Sequence, residues 1–197
     1  MRGADGEKKG SKTPIRTVLQ EDCLLAQVTP ETEALVSKGY GRKEGNEVKF
    51  TFYEGLYLLT RGIIEVWDRE RKRTVDFQEL LLHSRRADED SWVKYLIYRD
   101  LRSRGYVVRE GFGLGIDFRV YERGKYGKDT ADHLIYGIKE GRPVRIQELA
   151  QTLSYAQNLK KKLILAVLNR RGEVVYYSLS RLTFKELGES MNFLSEG

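Results

Sequence analysis

The sequence predicts an α/β (α+β) protein of two parts: a small mixed α/β N-terminal domain, then an α/β domain built on a mixed central sheet. Three observations lead there. Helical and strand-like apolar patterns are interleaved along the chain. A polar run at 85–90 divides two such series. The second series reads helix, three strands, helix, two strands. At 197 residues and 40% hydrophobic content, the chain can bury one large core or two small ones. The expected partition is a disordered basic tail at 1–14, the N-terminal domain at 15–88 and the second domain at 89–197.

The tail, MRGADGEKKGSKTP, holds almost no large apolar residue and cannot offset the entropy of ordering itself. Short strands follow at 18–19 and 23–28. Thr29 is a good N-cap and Pro30 suits the first helical turn, so a helix is expected over 30–36, ending near Gly39. Residues 40–46, punctuated by Gly41 and Gly45, read as a loop. A strand at 48–50 leads to Thr51, which with Glu54 forms a capping box for a helix that stops at Gly62. Its expected apolar side is Tyr53, Leu56, Tyr57 and Leu59. A strand at 63–67, a charged turn at 68–74 and an amphipathic helix at 77–84 complete the first series.

Asp90 or Ser91 caps the next helix, which runs to about Arg104. Val93, Leu96, Ile97 and Leu101 recur at helical spacing, and Gly105 is the stop. Strands are expected at 106–109, 116–121 and 133–138. Gly111, Gly113 and Gly115 break the chain between the first two; they are turn residues, not a nucleotide fingerprint. A polar loop spans 124–132. A helix over 146–160 turns Leu149, Ala150, Leu153 and Ala156 inward. Strands at 162–168 and 173–180 flank a tight turn at 169–172. Residues after Arg181 read as a short helix or a loose tail.

Composition narrows the function. The 35 basic and 29 acidic residues leave a net charge of +6, which points to a polyanionic partner, most simply nucleic acid. Cys23 is the one cysteine, which excludes an intrachain disulfide and fits a reducing, cytoplasmic setting. Cys23, His83 and His133 lie far apart in sequence, against a four-ligand zinc site, and no metal or other cofactor is expected. No apolar run approaches the ~20 residues of a membrane span. The polar N-terminus has no signal-peptide core. His83, in a Leu-rich helix beside Arg85 and Arg86, reads as structural or surface.

Three stretches then carry a resemblance. YLIYRDLRSRGYVVREG at 95–111, GIDFRVYERG after it and KKLILAVLNRRGEVVYYS at 161–178 resemble archaeal tRNA-splicing endonuclease. YGRKEGN, EGLYLL and DFQELL in the first half match more loosely, so the likeness covers roughly 35–181. The resemblance implies a catalytic subunit with a restriction-endonuclease-like catalytic domain. It implies an endoribonuclease that excises introns from precursor tRNA at bulge-helix-bulge motifs. The products carry a 2′,3′-cyclic phosphate and a 5′-hydroxyl, and no metal is needed. The family's catalytic tyrosine falls on Tyr121, which closes the D-F-x-x-Y run; its histidine falls on His133, the next histidine. Its lysine falls on Lys161, just before KLILA, with Lys160 and Lys162 one residue to either side.

These residue types suit the chemistry. A 2′-hydroxyl must lose a proton to attack the adjacent phosphorus, and the departing 5′-oxygen must gain one. Histidine gives up a proton readily near neutral pH, which suits the donor. Tyrosine serves as base where a nearby cation favours the phenolate. A lysine also stabilises charge on the non-bridging phosphate oxygens. Because the RNA supplies its own nucleophile, no metal-activated water is required. Arg42 and Lys43, in a glycine-flanked stretch, are candidate RNA-binding phosphate contacts.

Two departures from the family bear on assembly. Leu134 follows the histidine where the family usually has serine. Homotetrameric members also carry an acidic docking loop. The corresponding turn here, KEGRP at 139–143, is short and has one acid beside two basic residues. This implies a heterotetramer with a related structural subunit. The strand at 173–178 is a candidate for edge pairing across a dimer interface. Two other readings compete: a non-catalytic structural subunit of the same assembly, and a metal-dependent nuclease. The complete tyrosine, histidine and lysine set argues against the first. The second would need an acid, acid-x-lysine pattern, which Asp117 and the residues after Gln147 do not supply.

Overall fold

The computed structural model describes residues 13–181. The segment expected as a disordered tail lies outside them apart from Thr13 and Pro14, and so do the residues after Arg181. The described residues fall into two compact units, one up to Ser91 and one from Trp92 on.

The first unit runs β1 (Ile15–Leu19), β2 (Leu24–Gln27), α1 (Pro30–Ser37), β3 (Arg42–Glu44), β4 (Glu47–Phe50), α2 (Phe52–Thr60), β5 (Ile64–Asp68), β6 (Arg73–Val75) and α3 (Phe77–Ala87). Its strands form one sheet in the order β3-β4-β2-β1-β5-β6. β1 and β5 are parallel and the other neighbours antiparallel. Both expected caps are present. Thr29 Oγ1 accepts the Thr32 N–H, and Thr32 Oγ1 accepts the Thr29 N–H. Glu54 closes a wider box: Oε2 accepts the Thr51 N–H at 3.0 Å, and Oε1 accepts the Gly41 N–H at 3.0 Å. That carboxylate is 3% exposed, so it joins the start of α2 to the turn before β3 inside the protein. α2 can lie close on the sheet because Gly55 has no side chain. A Cβ there would sit 2.3 Å from Leu24 Cδ1 and meet Leu80 of α3 beyond it.

Four expectations for this unit are corrected. Residues 40–46 are not all loop, since β3 pairs with β4 through a two-residue turn at Gly45 and Asn46. β3 is an exposed edge strand of Arg, Lys and Glu, so it shows no apolar alternation. The charged turn at 68–74 likewise conceals β6, which pairs with β5 around residues 69–72. Asp68 Oδ1 accepts the Glu70 and Arg71 N–H groups and shapes that turn. α3 runs on to Ala87, so the polar link before the next helix shrinks to 88–90. α2 is also more deeply set than one apolar stripe implies. Phe52 and Leu58 are buried with Leu56 and Tyr57, while Tyr53 and Leu59 are half-buried.

The second unit runs α4 (Ser91–Ser103), β7 (Val107–Gly113), β8 (Ile116–Tyr121), β9 (His133–Lys139), α5 (Ile146–Asn158), β10 (Lys162–Leu168) and β11 (Val174–Leu179). The sheet order is β11-β10-β9-β8-β7. β9 and β10 are parallel and the rest antiparallel, which is the mixed sheet expected. Val93, Leu96, Ile97 and Leu101 of α4 are buried as their spacing predicts, and the Tyr98 ring meets Phe118 of β8. α5 lies on a core of Ile116, Leu134, Tyr136 and Leu163, to which it adds Ala156, Leu149 and Leu153.

Two corrections follow here. The glycines at 111 and 113 do not end the first strand; β7 continues to Gly113 through a bulge after Glu110. Gly113, Leu114 and Gly115 all take positive φ in the reversal to β8. On α5, Ala150 is exposed and Thr152 takes the inward place. Position 152 lies three residues after Leu149 and four before Ala156, on the apolar face, and the Thr152 hydroxyl is satisfied there by donating to the Leu114 carbonyl at 2.8 Å.

Candidate active site

Strand order decides which residues of the second unit share an end of the sheet. β8, β9 and β10 lie side by side. β8 and β9 are antiparallel, with Val120 opposite His133. β9 and β10 are parallel, with His133 opposite Lys162. The last residue of β8 and the first residues of β9 and β10 therefore gather at one end, on strands about 4.8 Å apart. Tyr121 stands one residue past Val120, and Lys161 one residue before Lys162. The three residues expected to be catalytic are brought to that end from three separate elements.

Local chemistry sets each of them. Tyr121 closes β8 half-buried, and its ring meets the Tyr126 ring edge to face, centroids 5.2 Å apart. His133 is half-buried, while Leu134 and Ile135 behind it are core. α5 ends at Asn158 with Leu159 as its C-cap, and Lys160 takes a left-handed conformation with φ of 55°. This turn lets the Lys161 N–H donate to the Ala156 carbonyl at 3.0 Å before the chain enters β10. Of the three consecutive lysines, Lys160 and Lys162 are exposed and Lys161 is half-buried. Its ammonium donates to Thr130 Oγ1 at 2.5 Å.

The segment between β8 and β9, read from sequence only as a polar loop, is a folded turn over this end of the sheet. The Lys128 and Asp129 N–H groups both donate to the Lys125 carbonyl. Asp132 ties all three strands together. Its N–H donates to the Val120 carbonyl, its carboxylate accepts the Glu122 N–H at 3.4 Å, and its carbonyl accepts the Lys162 N–H at 3.3 Å. Lys125 Nζ lies 3.3 Å from Asp132 Oδ1 and 2.9 Å from Glu122 Oε2. Burial alone would raise the Asp132 pKa. The Glu122 N–H, the Lys125 ammonium and the charge on His133 outweigh it and hold the carboxyl below its usual range. Tyr126, Thr130 and Asp132 carry no periodic or motif signal; only the adjacency of Asp132 to His133 could have flagged one of them.

Arg42 and Lys43 stand in the first unit, on the exposed edge strand β3. Arg42 Nε donates to Glu44 at 2.8 Å and Lys43 Nζ to Glu33 at 2.6 Å. His83 is a packing residue: Nε2 lies 3.1 Å from the Gln20 carbonyl and the ring meets Phe52 at 5.4 Å. Among the described residues no three His, Cys, Asp or Glu side chains cluster as metal ligands. No described helix is long and apolar enough to cross a membrane.

Comparison with known proteins shows the family. Residues 15–81 match the N-terminal domain of tRNA intron endonuclease, and residues 91–176 match its catalytic C-terminal domain. The tRNA-splicing endonuclease of Methanococcus maripaludis is 36% identical over 171 residues, covering 87% of this chain and 96% of that protein. This chain belongs to the tRNA intron endonuclease family. The tRNA-splicing endonuclease of Pyrococcus furiosus is 32% identical over 174 residues, 88% of this chain and 99% of that one. That of Pyrococcus abyssi is 33% identical over 148 residues, 75% and 84% of the two chains. The resemblance read over 35–181 is thus borne out, as is the two-part α+β fold. With it comes the expected class of enzyme, a tRNA-intron endonuclease. The sheet end that carries Tyr121, His133 and Lys161 lies within the family's catalytic domain.

Proposed function

We propose that this chain is the catalytic subunit of a cytoplasmic tRNA-splicing endonuclease. It cuts precursor tRNA at bulge-helix-bulge motifs by attack of a 2′-hydroxyl on the adjacent phosphorus, without a metal. The observation that supports this most directly is the meeting of Tyr121, His133 and Lys161 at one end of the second sheet. Tyr121 accepts the 2′-hydroxyl proton. His133 donates a proton to the departing 5′-oxygen. Lys161 stabilises the charge that builds on the non-bridging oxygens. The bond to the 5′-oxygen breaks as the 2′-oxygen bond forms, leaving a 2′,3′-cyclic phosphate and a 5′-hydroxyl. Arg42 and Lys43 contribute phosphate contacts, each releasing its carboxylate partner. Cleavage of a bulge-helix-bulge RNA in excess EDTA tests the metal-free step. Activity should persist; its loss, restored by added magnesium, would favour a metal-dependent nuclease.

The turn at 139–143 supports a heterotetramer with a related structural subunit. Its one acid, Glu140, accepts the Arg170 N–H of its own chain at 2.9 Å, and its neighbours include Lys139 and Arg142. Such a turn makes a poor acidic plug for a basic cleft on another subunit. Light scattering of the purified chain should show a species smaller than a tetramer, with full cleavage only after a partner is added. A fully active homotetramer would contradict this assembly.

A further inference from the structure

The contact between Lys161 and Thr130 has no counterpart in the proposed roles, yet it fixes where the cation stands. We infer that Thr130 is a positioning residue for the cleavage reaction, holding the Lys161 ammonium where the scissile phosphate will bind. This rests on the reading of Lys161 as the phosphate-stabilising group.

A lysine side chain is a flexible four-carbon stem with a point charge at its tip. Left free in water, its ammonium samples many positions, and charge stabilisation weakens when the donor must be organised during the reaction. Here the ammonium donates to Thr130 Oγ1 at 2.5 Å, across 31 residues of sequence. A neutral hydroxyl suits this role. It accepts one of the three ammonium protons and leaves two for phosphate oxygens. A carboxylate there would neutralise the charge that the phosphate needs. Asp132, two residues on, spends its carboxylate on the Lys125 ammonium and the Glu122 N–H instead.

Thr130 is itself held in place. The turn before it is closed by the Asp129 N–H on the Lys125 carbonyl at 2.9 Å. Ala131 after it is 5% exposed, so the chain is pinned on that side too. Asp132 then binds the ends of β8, β9 and β10 through its N–H, its carboxylate and its carbonyl. The hydroxyl therefore reports the position of the same strand ends that carry Tyr121 and His133. Its own exposure means that a substitution there disturbs no core.

The test is single-turnover cleavage of a bulge-helix-bulge RNA by the assembled enzyme with Thr130→Val, Thr130→Ser, Lys161→Ala and Thr130→Val/Lys161→Ala. Thr130→Val should lower the cleavage rate roughly tenfold with RNA affinity unchanged. Thr130→Ser should restore most of it. In the Lys161→Ala background, Thr130→Val should cost nothing further, because the two residues act as one unit. A Thr130→Val enzyme as fast as wild type, with Lys161→Ala inactive, overturns the inference and leaves the reading of Lys161 standing. Equal losses from Thr130→Val in both backgrounds also overturn it, by showing a structural role alone. A Lys161→Ala enzyme that cleaves normally overturns the reading of Lys161 and the inference with it.

Discussion

His133→Ala is expected to lower the single-turnover cleavage rate by roughly 10²–10⁴-fold, the range for loss of one general acid. RNA affinity should change little. The departing 5′-oxygen is a poor leaving group unless it is protonated as its bond to phosphorus breaks. With alanine at position 133, water must supply that proton without being positioned. The fold should tolerate the change, because His133 is the half-buried first residue of β9 and the buried side chains Leu134 and Ile135 follow it. The register with Val120 and Lys162 runs through backbone groups and is retained. A leaving group with a better departing oxygen should recover part of the lost rate, as it needs less help from an acid. Wild-type cleavage by the alanine variant would remove His133 from the mechanism. Loss of RNA binding in parallel with cleavage would assign it to recognition instead.

Glu54→Ala is expected to destabilise the first unit by about 3 kcal/mol. The carboxylate is 3% exposed and accepts the N–H groups of Gly41 and Thr51 at 3.0 Å each, as well as the Thr51 hydroxyl at 3.2 Å. Its loss leaves the buried Gly41 N–H without its acceptor, at a cost of about 1–3 kcal/mol, and the part-buried Thr51 N–H at a smaller one. It also uncaps α2, a further ~1 kcal/mol. Glu54→Gln keeps an acceptor oxygen and should cost less. Urea unfolding followed by tryptophan fluorescence reads this directly, since Trp67 lies in the same unit on β5. A midpoint unchanged for Glu54→Ala would show that the box is not a source of stability.

The sequence made the regular elements legible wherever one physical signal dominated. Thr29 with Pro30, and Thr51 with Glu54, announce their helices because capping groups sit at fixed offsets. Ile116, Phe118 and Val120 alternate because β8 buries one face of its pleat, while Asp117, Arg119 and Tyr121 on the other face are half-buried. β3 and β6 escaped notice for the converse reason. Both are short edge strands of charged residues, held by backbone pairing that leaves no mark in side-chain pattern. Thr152, rather than Ala150, takes the inward place on α5 because a hydrogen bond to Leu114 makes a threonine acceptable in the core.

The site divides in the same way. Tyr121, His133 and Lys161 were reachable through motif likeness, since each sits beside a recognisable apolar strand. Thr130 and Asp132 act through contacts that close over 31 residues for Thr130 and 10 for Asp132, in a stretch with no periodicity. Their significance depends on the sheet order, which brings β8, β9 and β10 together at one end.

The account depends most on the claim that the RNA's own 2′-hydroxyl is the nucleophile. End-group analysis of the fragments cut from a bulge-helix-bulge RNA tests it most directly. The account predicts a 2′,3′-cyclic phosphate on the upstream fragment and a 5′-hydroxyl on the downstream one, with no cleavage when the attacking ribose is replaced by its 2′-deoxy form. A 5′-phosphate on the downstream fragment, or unimpaired cleavage of the 2′-deoxy substrate, would contradict it.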